Sequence, residues 1–267
     1  MIELLPSPVK SVYNCHMGIK RIIQFGQAVW AGLNHLLWPE VCINCRQSIC
    51  ISDNHLCQKC WQELTEATSG DYCPGCGKDV SRYALVHGKC SDCQDQSIYF
   101  DKICRAGFYS HALRRMILSF KLHGRTELDL TLGFLANSAL QGSEFYEEVD
   151  FFVPVPLHWT RRLNRGFNQS LILAKMLKHP TAKLNTDLVR TRNTRAQVTM
   201  ESHTSRKKNV ANAFAVRMGH KFQGANICLV DDIKTSGATL NECAKVLKEA
   251  GASKVFTLVL AVAGQDK

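Results

Sequence analysis

The stretch that decides the fold covers residues 226–250 and reads NICLVDDIKTSGATLNECAKVLKEA. Its apolar run at residues 227–230 predicts a strand that is buried on both faces of a parallel sheet. Asp231 and Asp232 follow at the carboxyl end of that strand, where open α/β sheets bind their ligands. Residues 240–250 then carry an apolar face at helical spacing, so the segment predicts a strand, an acid pair, a loop and a helix in succession.

The loop between the acid pair and the helix is rich in hydroxyl groups. It consists of Thr235, Ser236, Gly237, Ala238 and Thr239. Such a turn at the start of a helix offers free backbone N–H groups and the positive end of the helix dipole to an anion. Two carboxylates beside a phosphate cradle suit a ligand that has both a phosphate and vicinal hydroxyls, as a ribose 5-phosphate does.

Other folds also place two acids after an apolar strand. Receiver domains do so near their start, whereas only 267 − 232 = 35 residues follow Asp232 here. The chain has neither G-x-G-x-x-G nor G-x-x-x-x-G-K-[ST], so dinucleotide-binding and P-loop folds lack support. The remaining alternative is a surface loop that only caps the following helix. It would leave two acids without a role at the end of a buried strand, where a charged group costs free energy.

The surrounding sequence continues an alternation of helices and strands. Helical spacing recurs at about residues 111–121, 131–141, 167–178 and 238–250, and short apolar runs lie at 151–155, 226–230 and 254–262. This alternation predicts an α/β domain over residues 104–267, with a largely parallel sheet flanked by helices.

A second motif lies at residues 151–169 and reads FFVPVPLHWTRRLNRGFNQ. A strand here runs into Pro154 and Pro156, and a new helix starts at Phe167. Arg161 and Arg165 lie before that start, where guanidinium groups suit a diphosphate. A solvated basic face is the alternative for arginines in such a loop.

Cysteines define the segment before this domain. Ten of the thirteen lie within residues 42–104, and eight form C-x-x-C pairs: Cys42 and Cys45, Cys57 and Cys60, Cys73 and Cys76, Cys90 and Cys93. Two C-x-x-C turns complete one tetrahedral shell of four thiolates, so residues 41–100 predict a double zinc ribbon that holds two structural Zn²⁺ ions. Disulfides and a redox C-x-x-C motif are the competing interpretations.

The pairing of these turns is not fixed by spacing. Sequential sites, 42/45/57/60 and 73/76/90/93, are favoured, but a cross-braced arrangement stays open. Cys50, His55 or His87 is able to replace a ligand.

The first 40 residues carry apolar positions at rough helical spacing. They predict a helix packed on the next domain, with an amphipathic membrane-surface segment as the alternative, since Lys20 and Arg21 lie at one end. No apolar run reaches 18 residues, and no signal peptide is recognisable, so a cytoplasmic protein without a transmembrane segment is expected. Clustered cysteines that stay reduced there favour metal binding.

Positive charge is concentrated in one part of the chain. The composition is ordinary for a globular protein, with 45% hydrophobic and 21% charged residues, and the net charge is +10. Residues 158–208 hold twelve Lys and Arg and two acids, a difference of +10. This segment predicts contact with a phosphate backbone, through residues Arg192, Arg195, Arg206, Lys207 and Lys208.

Taken together, the motifs resemble those of the ComF family, also known under GntX-type names. The resemblance rests on the two C-x-x-C clusters, PVPLH with RGFNQ, the segment GFYSHALRRMILSFKLHGR, and LVDDIKTSGAT, and it covers about residues 40–263. LVDDIKTSGAT also resembles the signature with which type I phosphoribosyltransferases bind phosphoribosyl pyrophosphate (PRPP). The segment from Arg190 to Asn209 is similar in position to a mobile hood of those transferases, so it is expected to close over PRPP, to bind a phosphate backbone, or to do both.

The resemblance implies specific roles. Asp231 and Asp232 are expected to hold the ribose hydroxyls of PRPP, and the loop at residues 235–239 its 5-phosphate, with Mg²⁺ bound alongside. It further implies a part in DNA uptake during natural transformation, with single-stranded DNA and DNA-uptake proteins as partners. The acceptor of a phosphoribosyl group is not visible in the sequence, so a PRPP-sensing, DNA-binding protein without catalysis is the alternative.

Overall fold

The computed structural model describes residues 41–49, 56–94, 97–109, 111–123, 126–194 and 203–263. The interpretations of residues 1–40 lie outside this part of the chain, as do Cys50, His55 and Arg195. The chain separates into two compact units, residues 1–58 and 59–267. Among the described helices, none is both apolar enough and long enough to cross a membrane.

Parallel pairing dominates the strands of the second unit. Those described are β1 (Lys102–Phe108), β2 (Phe151–Pro154), β3 (Lys183–Leu184), β4 (Leu188–Arg190), β5 (Phe214–Val216), β6 (Asn226–Lys234) and β7 (Lys254–Val262). Five of them form a parallel sheet in the order β1-β7-β6-β2-β3, and β4 pairs with β5 in an antiparallel ribbon. The predicted parallel α/β fold is confirmed.

The described helices are α1 (Gln58–Thr68), α2 (Ser91–Gln94), α3 (His111–His123), α4 (Thr126–Gln141), α5 (Trp159–Arg165), α6 (Gln169–Met176), α7 (His203–Val210) and α8 (Ala238–Glu249). Of these, α3, α4, α6 and α8 pack against the sheet. The sequence patterns did not predict α1, α2, α5 and α7, nor the strands β1, β3, β4 and β5. Most of these elements are too short to show a period, and β1 carries a buried arginine, Arg105, in its middle.

The order of the strands creates a crevice between β2 and β6. From β2 the chain passes through α5 and α6 outward to β3, whereas from β6 it passes through α8 in the opposite direction to β7. Because such crossovers are right-handed, the two connections lie on opposite faces of the sheet. The carboxyl ends of β2 and β6 therefore form the switch point at which open α/β sheets bind ligands.

Burial explains why β6 reads as a continuous apolar run. Residues 227–230 are all buried, since α6 packs against β2 and β6 while α8 packs against β6 and β7. A strand covered on both faces needs no polar alternation. The core on the α8 side includes Ile227, Leu229, Leu247 and Val259.

Candidate functional site

The two aspartates border the crevice because β6 is longer than its neighbour. β2 pairs with β6 only up to Pro154 and Val230, whereas β6 and β7 stay paired as far as Lys234 and Val262. Asp231 and Asp232 thus lie within the observed strand, beyond the last pair with β2, rather than after the strand end that the sequence predicted. Strand β7 lies beside the two aspartates on one side, and the crevice lies on the other.

Asp231 is held by two donors on one oxygen. The Ser170 hydroxyl and the Asp232 backbone N–H both donate to Asp231 Oδ1, each at 2.9 Å. Burial raises the pKa of Asp231 to about 7, and the charge of Asp232 adds to that rise. Lys121 and the Ser170 hydroxyl oppose it. Near neutral pH, the charge of the Asp231 carboxyl group therefore depends on the groups that surround it.

Asp232 has a cationic partner from a distant part of the chain. Lys121 Nζ, on α3, lies 2.9 Å from Asp232 Oδ2, and Asp232 is only 7% exposed. A charge this far removed from water needs such a partner. Lys121 thus places a positive charge beside the acid pair.

The predicted phosphate loop leads directly into α8. Gly237 precedes the helix with φ +74° and offers no side-chain cap, and the first turn of α8 carries no acid. Ser236 Oγ accepts from the Ala238 N–H at 3.4 Å. Thr235 is exposed, Ser236, Gly237 and Thr239 are half-buried, and Ala238 is buried. The positive helix end therefore faces a loop of small and hydroxyl-bearing residues.

The RGFNQ motif builds a tight reversal between α5 and α6. Gly166 ends α5 with φ +82°, and the Asn168 side chain accepts from the Ser170 N–H at 3.2 Å. Asn168 Nδ2 also donates to the Val155 carbonyl at 3.1 Å, which fastens the start of α6 to the exit of β2. This reversal is what brings Ser170 to Asp231.

The predicted diphosphate clamps lie one turn apart on α5. Arg165 Nη1 donates to Gln169 Oε1 at 3.0 Å, and Arg161 Nη2 donates to the Thr194 carbonyl. Burial lowers the pKa of Arg161, and the positive charge of Arg165 lowers it further. Because the two guanidinium groups repel each other, an anion bound next to both of them is stabilised.

Arg190 joins this basic group without having been singled out in the sequence. It donates to Thr194 Oγ1 and lies over the Phe214 ring, 5.2 Å from the centroid. Its Nε is buried without a hydrogen-bond partner in the described part of the chain. Burial and then the charge of Arg161 lower its pKa. Antiparallel pairing of β4 and β5 is what places it here.

A cavity of about 400 Å³ opens beside the exit of β2. Its wall includes Pro156, Trp159, Arg162, Arg190 and Arg217, and none of the described residues that line it is acidic. Trp159 is 64% exposed at this place. The cavity thus combines apolar and aromatic surface with guanidinium groups.

The predicted nucleic-acid residues are placed differently from one another. Arg192 Nη2 donates to the carbonyls of Asn209 and Ala211, at 3.0 and 2.8 Å, and so caps the end of α7. Lys207 and Lys208 are exposed on α7, Arg206 is half-buried on the same helix, and Arg195 lies outside the described residues. Arg192, Lys207 and Lys208 are the described residues of this set that are exposed to solvent.

The eight C-x-x-C cysteines form two groups. The thiols of Cys42, Cys45, Cys57 and Cys60, and those of Cys73, Cys76, Cys90 and Cys93, lie within 4.8 Å of one another in each group. Neighbouring sulfurs are 3.5–3.7 Å apart. Tetrahedral Zn²⁺ with Zn–S bonds of about 2.3 Å needs sulfurs about 3.8 Å apart, so both sets fit one zinc ion each. The grouping is the sequential one.

The pKa values of the thiols also agree with zinc binding by the two cysteine sets. Burial opposes ionisation of Cys42, but backbone N–H groups near Cys45, Cys57 and Asn44 lower its pKa to about 7. Burial and neighbouring thiols raise the pKa of Cys93 to about 12. Four thiolates are thus not stable together without a cation, and zinc binding displaces the remaining protons.

Comparison with known proteins agrees with this architecture. The family description "Double zinc ribbon domain" matches residues 33–94, and "Phosphoribosyl transferase domain" matches residues 163–267. Competence protein F of Haemophilus influenzae is 31% identical over 220 residues, which cover 80% of this chain and 93% of that protein. The chain belongs to the ComF family.

Other ComF relatives match over similar lengths. Competence protein ComFC of Bacillus subtilis is 30% identical over 78% of this chain and 85% of its own length. The DNA utilization protein YhgH of Salmonella typhimurium is 29% identical over 81% and 94%. A glutamine PRPP amidotransferase structure from B. subtilis aligns at 17% identity with a TM-score of 0.35, over 54% of this chain and 30% of that chain.

Three groups of this ComF protein contribute to the site without having been given a role from the sequence. They are Lys121, Ser170 and Arg190. Lys121 and Ser170 each lie in or next to a family segment that the sequence displays, GFYSHALRRMILSFKLHGR and RGFNQ, and that location was the available signal. No local sequence pattern indicated a role for Arg190.

Proposed function

We propose that this ComF protein binds PRPP with Mg²⁺ in the crevice between β2 and β6. The observation that carries the proposal is the placement of Asp231 and Asp232 at the switch point, next to a helix start at which Gly237 provides no side-chain cap. The two carboxylates accept hydrogen bonds from the ribose hydroxyls, and residues 235–239 surround the 5-phosphate. Arg161 and Arg165 neutralise the diphosphate, with Arg190 close by.

The reaction we propose is transfer of the phosphoribosyl group to a nitrogen nucleophile. The bond between the anomeric carbon and the diphosphate oxygen breaks, and its electron pair leaves with pyrophosphate. The nitrogen lone pair forms the new bond, and the proton of that nitrogen goes to solvent. When bound, Mg²⁺ neutralises charge on the departing pyrophosphate. The arginines on α5 supply the remaining positive charge.

We further propose that this chemistry serves the handling of single-stranded DNA in the cytoplasm, together with DNA-uptake proteins. Relatives carry the names competence protein and DNA utilization protein. Lys207 and Lys208 present positive charge on α7. Eight of the eleven described cysteines form the two sets of zinc ligands, and clustered metal-binding cysteines are typical of a reducing compartment.

The binding site is tested with the double variant Asp231→Asn, Asp232→Asn. Calorimetry with PRPP and Mg²⁺ is expected to show a loss of affinity of at least about 100-fold, or about 2.7 kcal/mol. The variant Glu144→Gln, Glu147→Gln makes the same change in charge at two exposed positions and is expected to bind like the wild type. Equal affinity of the aspartate variant and the wild type contradicts the proposal.

Catalysis is tested separately from binding. Release of pyrophosphate from PRPP is measured across nitrogen acceptors, with and without single-stranded DNA. Release that needs an acceptor supports transfer. Binding of PRPP with no release under any condition supports the second candidate function, a PRPP-sensing DNA-binding protein, which the exposed basic face of α7 also favours.

A further inference from the structure

The cavity beside the exit of β2 is distinct from the crevice that contains the acid pair. Neither the two aspartates nor the loop at residues 235–239 is among the described residues that line it. Its wall instead includes Thr186 and Leu188, which follow β3, and β3 lies on the other side of β2 from β6. The volume of about 400 Å³ is in the range of small-molecule sites. The domain therefore has a second space in which a ligand fits.

An aromatic ring and apolar side chains form part of this cavity. Trp159 is the first residue of α5 and is 64% exposed. Its ring lies 5.6 Å from that of His158, whose Nδ1 accepts from the Thr160 N–H at 3.4 Å and so caps the helix that carries the tryptophan. Pro154 and Leu188 contribute buried apolar surface to the wall. An exposed indole next to apolar surface is a place where a planar ring stacks.

Three guanidinium groups line the same cavity. Arg162 on α5 and Arg217 just after β5 are exposed, and Arg190 on β4 is half-buried. Within the described part of the chain, none of the three forms an ion pair with an acid. The side chains of Arg162 and Arg217 also make no hydrogen bond to the described residues. Two such arginines on separate elements suit a phosphate group, which guanidinium binds with paired hydrogen bonds.

Hydrogen bonds hold the wall of the cavity in place. The Arg217 N–H donates to the Asp187 carbonyl at 2.9 Å, which ties the chain after β5 to the chain before β4. Asn168 Nδ2 donates to the Val155 carbonyl at 3.1 Å, which ties the start of α6 to the exit of β2. A wall that is ordered before a ligand binds lowers the entropic cost of binding.

We propose that this cavity binds one nucleobase together with its adjoining phosphate, with the base stacked on Trp159 and the phosphate held by Arg162 and Arg217. The indole requires a planar partner, and the arginines require an anion. A nucleotide unit supplies both, whereas an acidic peptide supplies the charge without the ring. The inference goes beyond the proposed function, because it needs neither PRPP nor the basic face of α7. The nucleotide unit belongs either to a free nucleotide or to single-stranded DNA.

Stacking is tested by tryptophan fluorescence of the full-length protein without PRPP. Deoxyadenosine monophosphate is expected to quench the wild type but not Trp159→Phe, although that variant keeps the other tryptophans of the chain. By calorimetry, Trp159→Ala is expected to bind this nucleotide about tenfold more weakly, because one stacked base is lost. Leu163→Ala, a change on the same helix that is exposed outside the cavity, is the matched control. Absence of quenching in the wild type, or equal quenching by hexaglutamate, overturns the proposal.

Phosphate recognition is tested with the double variant Arg162→Gln, Arg217→Gln. Its affinity for deoxyadenosine monophosphate is expected to fall about tenfold, because charge-assisted hydrogen bonds are lost, whereas its affinity for deoxyadenosine stays that of the wild type. Arg114→Gln with Arg115→Gln removes two exposed arginines of α3 and is expected to behave like the wild type. If deoxyribose 5-phosphate binds the wild type as tightly as the nucleotide does, the base contributes nothing and the proposal is overturned.

The cavity and the crevice are distinguished with Asp231→Asn, Asp232→Asn. The nucleotide is expected to quench this variant like the wild type, while PRPP affinity is lost. Loss of quenching would place the nucleotide in the crevice and overturn the cavity as its site. If the wild type binds no PRPP, the proposed function is wrong, and quenching by the nucleotide still decides the cavity.

A short oligodeoxyadenylate distinguishes the two sources of the nucleotide unit. If the oligonucleotide quenches Trp159 at lower concentration than the mononucleotide, the cavity receives a base of single-stranded DNA. If it quenches only at higher concentration, the cavity is a site for a free nucleotide. An oligonucleotide that binds with equal affinity to the wild type and Trp159→Ala contacts the protein elsewhere, and the cavity is then excluded as a site for DNA.

Discussion

Asp231 makes the affinity for PRPP dependent on pH. Its pKa of about 7 lies above the ordinary value of 3.8 because the carboxyl group is buried next to Asp232. A raised folded-state pKa means that the ligand-free protein loses stability from this group as pH rises from about 4 to 7. PRPP, in contrast, needs the ionised carboxylate. Affinity measured by calorimetry is therefore expected to be about tenfold lower at pH 6 than at pH 8.

Ser170 supplies the control for that pH dependence. Its hydroxyl lowers the pKa of Asp231 by hydrogen bonding to the carboxylate. In Ser170→Ala the midpoint of the affinity profile is expected to move to higher pH, while titration of PRPP itself is the same in both proteins. A profile that is identical in the variant and the wild type would show that a group other than Asp231 is titrating.

Gly237 is required by both the backbone and the space around it. A residue with a side chain at φ +74° costs about 1–2 kcal/mol, and the added Cβ also meets Lys234 Cε at 2.9 Å. Gly237→Ala is expected to lose about tenfold in PRPP affinity, about 1.4 kcal/mol, because the loop has to shift. Calorimetry and thermal unfolding measure the two effects.

Gly224 offers the matched comparison. It has φ +72°, and nothing lies within 4 Å of an added Cβ. Gly224→Ala is expected to show the same loss of stability with unchanged PRPP affinity. An equal loss of affinity in both variants would mean that general destabilisation, rather than the shape of the loop, explains the effect at Gly237.

At the scale of elements, Arg105 fastens the second ribbon to β1. Its side chain is 2% exposed, its Nη1 donates to the Gly77 carbonyl at 2.9 Å, and its Nη2 pairs with Asp79. The Tyr72 ring lies 4.8 Å below the guanidinium. An arginine in the middle of a buried strand is therefore explained by the ribbon that packs on it.

Removing the partner of Arg105 is expected to loosen this attachment. Asp79→Asn leaves a buried guanidinium without its carboxylate and is expected to lower the free energy of unfolding by about 1–3 kcal/mol. Glu144→Gln breaks the exposed pair with Lys102 and is expected to cost less than about 1 kcal/mol. Urea unfolding of both variants measures the difference, and equal costs would contradict a special role for Arg105.

At the scale of the whole molecule, the excess positive charge predicts salt-dependent binding of single-stranded DNA. Each phosphate contact contributes about 0.7 to the slope of log affinity against log salt, so neutralising Arg206, Lys207 and Lys208 is expected to reduce the slope by up to about 2. Fluorescence anisotropy with a labelled oligonucleotide measures it. Lys183→Gln with Lys221→Gln, two exposed lysines elsewhere, is the control. An unaltered slope in the triple variant would exclude this face.

Features that depend on spacing along the chain could be predicted from local motifs. The apolar run before Asp231, the loop after it and the alternation of helices and strands predicted the parallel sheet, which is confirmed. Four C-x-x-C pairs predicted two sets of zinc ligands, and two sets of four thiols with suitable spacing are present. Family membership followed from the same motifs and is confirmed. The roles of the individual site residues stay predictions.

Which residues meet at the site depends instead on how distant parts of the chain pack together. Lys121 reaches Asp232 across 111 residues of chain, and Ser170 reaches Asp231 across 61. Local motifs are read from spacing, whereas these contacts follow from the order of the strands and the packing of helices on them. That order is a property of the whole domain, and no short stretch of sequence records it.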